Sequence, residues 1–160
     1  MPVNVTLSAG DCMPDILYEM FRSSMKPYVN ATRGAPWNER RERTQFLEQL
    51  VPHSIQLIRV DGQAVGFVDL RAERSGWNLH TMIVMPKWQS KGIGSTVLDR
   101  LMASSERITL SVLKTNPRAR AFYERKGFRE TSSSQHHHQM TWASNPTVER
   151  DAPQAARSSP

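Results

Sequence analysis

Apolar and polar residues alternate with two different periods along this chain, and the switches between them mark its elements. Over residues 11–24, Ile16, Leu17, Met20 and Phe21 recur at helical spacing, with Asp11 as a cap and Pro14 in the first turn, which predicts a helix. Residues 26–36 hold Pro, Asn and Gly and read as a loop. The helical period returns over residues 37–50, with Phe46, Leu47 and Leu50 inward and the run Glu39-Arg40-Arg41-Glu42-Arg43 mainly outward. Period two then takes over. Residues 54–60 and 63–71 alternate around Asp61-Gly62, a hairpin signal, and residues 77–84 form a third strand after a turn at Ser75-Gly76.

Residues 92–105 read as a helix with Ile93, Val97, Leu98, Leu101 and Met102 on one face, and residues 108–112 as a short strand. Asn116 caps a further helix that Pro117 opens and Gly127 closes, and residues 128–131 and 136–143 fit a last hairpin. Two helices, three strands, helix, strand, helix and two strands predict an α/β (α+β) domain around a mixed sheet. A chain of 160 residues fits one domain, which the pattern assigns to residues 1–143. Residues 144–160 carry three prolines, no aromatic residue and no apolar period, and read as a flexible tail.

Composition narrows the classes. Apolar content of 38% and charged content of 22% exclude global disorder, and no apolar run approaches bilayer length, so no membrane partner is expected. The first residues lack a basic stretch followed by an apolar run, so no secretory signal is expected. Cys12, the sole cysteine, excludes an intrachain disulfide and a cysteine-rich zinc site. Together these features predict a cytoplasmic protein.

The net charge of +6 matters less than where it sits. From Lys87 to Arg129 there are ten Lys and Arg against three acids, so the excess is local. A site for a compact polyanion, a solvated basic face and nucleic-acid binding all fit such a segment.

The stretch from Met82 to Ser95 carries the chemistry: a strand ends at Val84-Met85-Pro86, and Gln89-Ser90-Lys91-Gly92-Ile93-Gly94-Ser95 leads straight into a helix. Unpartnered N–H groups at a helix start, beside glycines without side chains, make an anion site. Neither GxxxxGK[ST] nor GxGxxG fits, because Val97 stands where the third glycine belongs. The Gln-x-x-Gly-x-Gly spacing resembles the pyrophosphate motif of the GCN5-related N-acetyltransferase (GNAT) superfamily. Asn116-Pro117-Arg118-Ala119 through Tyr123 to Gly127-Phe128 is similar to that superfamily's N-x-x-A-x-x-x-Y-x-x-x-G-F block.

The resemblance implies the GNAT fold, a central mixed and mostly antiparallel twisted sheet flanked by helices. It also implies acetyl-CoA as cosubstrate, a primary amine as acceptor, direct attack and no metal; nucleic acid is not an expected partner, and a homodimer stays open. Backbone groups of Met82 and Val84 would take the cofactor arm, and the Met82 N–H would face the thioester oxygen. Gln89, Ser90, Lys91, Gly92, Ile93, Gly94 and Ser95 match the pyrophosphate loop, Lys91 and Arg120 are added cations or solvated ones, and Asn116 matches a residue on the cofactor arm. Tyr123 matches the tyrosine that protonates the departing thiolate.

The base is the less determined part. By strand alternation Asn78, His80, Met82 and Val84 share one face; family members with a glutamate at the match of Asn78 use it as base, but asparagine cannot take a proton. His80 is then the candidate base, alone or through water, with a structural histidine as the other reading. Tyr28, Trp37 and Glu39 are the acceptor-side candidates. The run His136-His137-His138 reads as strand, because adjacent strand residues point to opposite faces and do not converge on a metal. A CoA-binding module without catalysis is the alternative function.

Overall fold

The structure, a computed structural model, describes residues 3–9 and 13–145. Its period-two segments form β1 (Val5–Ala9), β2 (Ile55–Val60), β3 (Gln63–Glu73), β4 (Gly76–Val84), β5 (Arg107–Leu113), β6 (Arg129–Ser133) and β7 (His137–Ala143). They make one sheet in the order β1-β2-β3-β4-β5-β7-β6. Neighbours are antiparallel except β4 and β5, which run parallel, so the sheet is mixed and mostly antiparallel as the resemblance implies. Helices α1 (Pro14–Arg33) and α2 (Glu39–Gln49) precede β2, while α3 (Ile93–Ala103) and α4 (Pro117–Arg125) flank β5 in sequence.

Strand alternation divides the core between the two sheet faces. On one face Leu17 and Met20 of α1 pack with Ile55, Phe67 and Ile83. On the other, Val97, Leu98 and Leu101 of α3 and Tyr123 of α4 pack with Val68, Leu79, Leu110 and Met140. Each fully buried apolar side chain of this kind contributes on the order of 1.5–3 kcal/mol.

The structure corrects the sequence reading at four places. β1, not anticipated, exists by pairing along the edge of β2, Val5 with Val60 through Ala9 with Gln56. Helix α1 continues through the expected loop to Arg33 and stops at Gly34, whose φ of 63° supplies the left-handed cap. Pro27 sits inside it; the lost hydrogen bond is outweighed by packing at one end and fastening at the other. There Thr115 Oγ1 donates to the Tyr28 carbonyl at 2.9 Å and lies 2.8 Å from Thr32 Oγ1. The expected Asp11 cap lies outside the described residues, Met13 holds the N-cap position, and Ile16 is exposed rather than in the buried stripe. Helix α2 starts at Glu39, where Asn38 Oδ1 accepts from the Arg41 N–H at 2.9 Å, and its Glu42 turns inward, 5% exposed, instead of outward. Ser144 and Asn145 are the last described residues, so nearly all of the expected tail lies outside them.

Candidate active site

Strands β4 and β5 pair only at Trp77↔Ile108 and Asn78↔Thr109, and beyond that rung they separate. Asn78 Nδ2 donates to Thr109 Oγ1 at 3.0 Å and fastens the rung at the apex of the wedge. On its other edge β4 is bound to β3. Met85 N donates to the Val65 carbonyl at 2.9 Å, and Ile83 lies opposite Phe67. Antiparallel alternation therefore commits the backbone groups of Ile83 to β3 and turns those of Met82 and Val84 away from it, into the wedge. The Val84 carbonyl there accepts from Gln89 Nε2 at 2.8 Å and from Ser24 Oγ at 3.4 Å. Gln89 thus ties the loop to the strand end.

The loop runs through a short turn, Pro86–Trp88, into α3. Ser90 (φ 61°) and Gly92 (φ 79°) are both left-handed, a backbone shape that gathers N–H groups. The first intrahelical bond of α3 is Thr96 N to the Gly92 carbonyl at 3.0 Å, which leaves the N–H groups of Ile93, Gly94 and Ser95 without helical partners. Ser90, Gly92, Ile93, Gly94 and Ser95 line a cavity of about 740 Å³. Arg118, Arg125 and Lys126 line it too, and no carboxylate does among the described residues. Trp88 closes one side with its buried indole Nε1 unpartnered. A Cβ on Gly94 would stand 3.8 Å from Phe122 Cζ and 3.9 Å from Met82 Cε, so the glycine leaves space without a clash that demands it.

Two of the expected cations are elsewhere. Lys91 stacks over the Trp88 ring at 5.3 Å and is not in the lining. Arg120 ion-pairs with Glu124 at 2.8 Å and Glu130 at 3.0 Å. Helical rotation by about 200° over two residues brings Arg118 round instead, and it donates to Ser90 Oγ at 2.6 Å.

A second cavity, about 1060 Å³, opens on the side of α1 and α2. The two share Met25, Met82, Ile83, Asn116, Ala119 and Tyr123, so they meet inside the wedge. Asn116 both caps α4, accepting from the Ala119 N–H at 3.1 Å, and lines both cavities. Tyr123 is 8% exposed, its ring held against Phe122 and Phe128 at centroid distances of 5.2 and 5.5 Å. Burial raises its pKa, so the phenol stays neutral and keeps its proton.

His80 does not share the face of Met82 and Val84. Asp69 pairs with Thr81 and Leu70 with Leu79, so His80 is the extra residue of a β-bulge. The bulge leaves Leu79, Met82 and Val84 together against the α3 core and brings His80 Nδ1 to 3.4 Å from Asp69 Oδ2. His80 lines the second cavity.

Asp69, which the sequence reading passed over, is 4% exposed. Burial works against its charge, but bonds from His80, from Arg71 at 2.8 Å and from the Ser54 hydroxyl hold its carboxyl well below the usual carboxylate range. A lone acid inside the apolar strand Gly66-Phe67-Val68-Asp69-Leu70 was the available signal, since a buried charge requires partners.

The acceptor-side candidates separate. Tyr28 lines the first cavity. Trp37 and Glu39 line neither; Trp37 Nε1 donates to Glu39 at 3.0 Å, and Glu39 accepts from Tyr18 at 2.7 Å, which joins α2 to α1. Of the histidine run, His136 and His137 line the second cavity, while His138 bonds Glu130 at 3.0 Å. Burial, then the neighbouring His136, lowers the pKa of His137. No group of three His, Cys, Asp or Glu side chains among the described residues is placed to hold a metal ion. Cys12 lies outside them.

Residues 52–130 match the family model of the acetyltransferase (GNAT) domain. No curated protein matches the chain at a significant level. Among solved structures, PH1933 from Pyrococcus horikoshii OT3 is similar at 19% identity and a TM-score of 0.68, over 89% of this chain and 99% of its own. The PaiA N-acetyltransferase from Thermoplasma acidophilum, solved in complex with coenzyme A, is similar at 19% identity and 0.67, over 89% and 99%. The ribosomal-protein-S18-alanine N-acetyltransferase from Escherichia coli is similar at 18% identity and 0.63, over 88% and 94%. At these identities the likeness is one of fold.

Proposed function

The chain carries the acetyltransferase domain of the GNAT superfamily, and from that premise we propose that it moves an acetyl group from acetyl-CoA to a primary amine by direct attack. The observation that carries this reading is the meeting of two cavities at Met82 and Tyr123, one lined by cations and free N–H groups and the other reaching the residues of α2.

In this reading the N–H groups of Ile93, Gly94 and Ser95, with Arg118 and Arg125, bind the pyrophosphate and phosphate charges, while Lys126 is paired with Asp99 at 2.7 Å. The Met82 carbonyl and the Val84 N–H bond the amides of the cofactor arm as a further strand would, the Val84 carbonyl being held by Gln89 and Ser24. Acetyl-CoA supplies an activated acyl carbon on a thiol leaving group. The acceptor gives up its ammonium proton to His80 Nε2, directly or through water; Nδ1 is positioned by Thr81 Oγ1 at 3.2 Å and Asp69 Oδ2 at 3.4 Å, and Asp69 balances the charge gained. The amine nitrogen bonds to the acyl carbon while the Met82 N–H stabilises the oxygen, and the carbon–sulfur bond breaks. Sulfur takes the proton of Tyr123, the attacking nitrogen loses its second proton to solvent as the amide forms, and solvent restores the Tyr123 hydroxyl.

The test is release of free CoA thiol across a panel of primary amines, matched to the acetylated amine formed. Tight CoA binding with no amine-dependent release from any member would favour the non-catalytic module instead.

A further inference from the structure

The second cavity has an uneven charge. Its lining contains two guanidiniums, Arg33 and Arg41, and a single carboxylate, Glu42. Arg33 Nε lies 2.9 Å from Glu42 Oε1, and the Arg41 guanidinium lies 2.9 Å from the same oxygen. Exposure separates the signs: the Glu42 side chain is 5% exposed, against 35% for Arg33 and 42% for Arg41. The anion is therefore sealed beneath the two cations, and the surface offered to the cavity is positive. Gln45, which accepts from Arg33 at 2.7 Å, fixes that guanidinium further. One carboxylate shared by two guanidiniums leaves one positive charge uncompensated and spare N–H donors on a planar fork. Among the described residues no second acid lines this cavity to receive an ammonium group.

We propose that the acceptor is an amine that also carries an anionic group, a carboxylate or phosphate, seated on Arg33 and Arg41. The same charge works against polyamines and lysine-rich peptides, whose remaining ammonium groups would face these guanidiniums unpaired. This inference rests on the second cavity being the acceptor site.

The experiment measures binding to the CoA-loaded protein by calorimetry, and turnover by thiol release, for matched probes. β-Alanine is set against its amide, O-phosphoethanolamine against ethanolamine, and spermidine serves as the polycation. The anionic member of at least one pair should bind roughly 10- to 100-fold more tightly than its neutral partner. Which pair shows the larger ratio distinguishes carboxylate from phosphate. Arg33→Gln and Arg41→Gln should each reduce the ratio, and each leaves Glu42 one guanidinium partner, so the fold is retained. Glu42→Gln, which releases both guanidiniums, should raise it.

Spermidine or the neutral members binding best overturns the proposal, as does a ratio unchanged in both arginine variants. Anionic amines that bind selectively without turnover would remove the proposed transfer and leave Arg33 and Arg41 as a binding site for anionic amines. Turnover that favours cationic amines would do the reverse.

Discussion

Replacing Gly94 with alanine should separate stability from cofactor binding. Gly94 is the second residue of α3, and a Cβ there meets nothing closer than 3.8 Å, so the methyl fits the protein without strain. Alanine in a helix is favoured over glycine by about 0.8–1.0 kcal/mol, and near a helix end by roughly half of that. For a domain of this size a gain of ~0.5 kcal/mol raises Tm by about 1–2 °C. The same methyl projects into the cavity beside Met82 and Phe122, where a pyrophosphate would approach the N–H groups of the first turn. Losing one charge-assisted hydrogen bond costs about 1.5–3 kcal/mol, or roughly 10- to 150-fold in Kd for CoA. Thermal denaturation and calorimetry on the same sample read both quantities. An unchanged Kd for CoA would refute the loop assignment, and a lowered Tm would refute the packing argument.

Other outcomes follow from the geometry. Gly66→Ala would place a Cβ 1.9 Å from the Ile83 carbonyl oxygen, so Tm should drop sharply, by at least the roughly 1–3 kcal/mol of overpacking, and a native Tm would contradict the β3–β4 contact. Asp69→Asn should cost roughly 3–5 kcal/mol in denaturant titrations at neutral pH, because it leaves Arg71 and Ser54 facing a neutral group. With its folded pKa depressed, Asp69 contributes stability that is present above its unfolded value of about 3.9 and is lost as pH falls through the folded value. Wild type should therefore lose more stability in acid than the variant, and parallel acid curves would discount the charge. His80→Ala should show a rate defect that shrinks as pH rises toward the acceptor's own pKa. A rate–pH profile merely parallel to wild type would make His80 structural and turn attention to His137, whose lowered pKa keeps it neutral in the same cavity.

The parts of the fold governed by local rules were legible in the sequence. The Asp61-Gly62 hairpin, the Asn116-Pro117 start of α4 and the strand–loop–helix around Gly92 and Gly94 each need particular residues at particular backbone angles. What escaped was set by tertiary contact. Val5–Ala9 is a strand through its partner β2, and Lys26 to Arg33 stays helical despite Pro27 because Thr115 and the core hold it. That extension has functional weight, since Tyr28, Val29 and Arg33 form walls of the two cavities. The bulge at His80 was invisible for another reason: residues 77–84 alternate well enough to suit an unbroken strand, and the extra residue shows only in register with β3. Simple alternation put His80 beside Met82, whereas the bulge gives it Asp69 as a neighbour.

The central claim is acetyl transfer in a ternary complex with Tyr123 as the proton donor to sulfur. Its most direct measurement is turnover of isotopically labelled acetyl-CoA with one accepted amine, comparing wild type with Tyr123→Phe. The Tyr123 ring packs on Phe122 and Phe128, and its hydroxyl makes no hydrogen bond among the described residues, so the variant should keep its fold and its Kd for CoA. The account predicts one acetylated amine per thiol released, no label left on the protein, and a turnover number lower by roughly 10²–10⁴ in the variant. Near-wild-type turnover by Tyr123→Phe, or label retained on the protein before the amine is added, would contradict it.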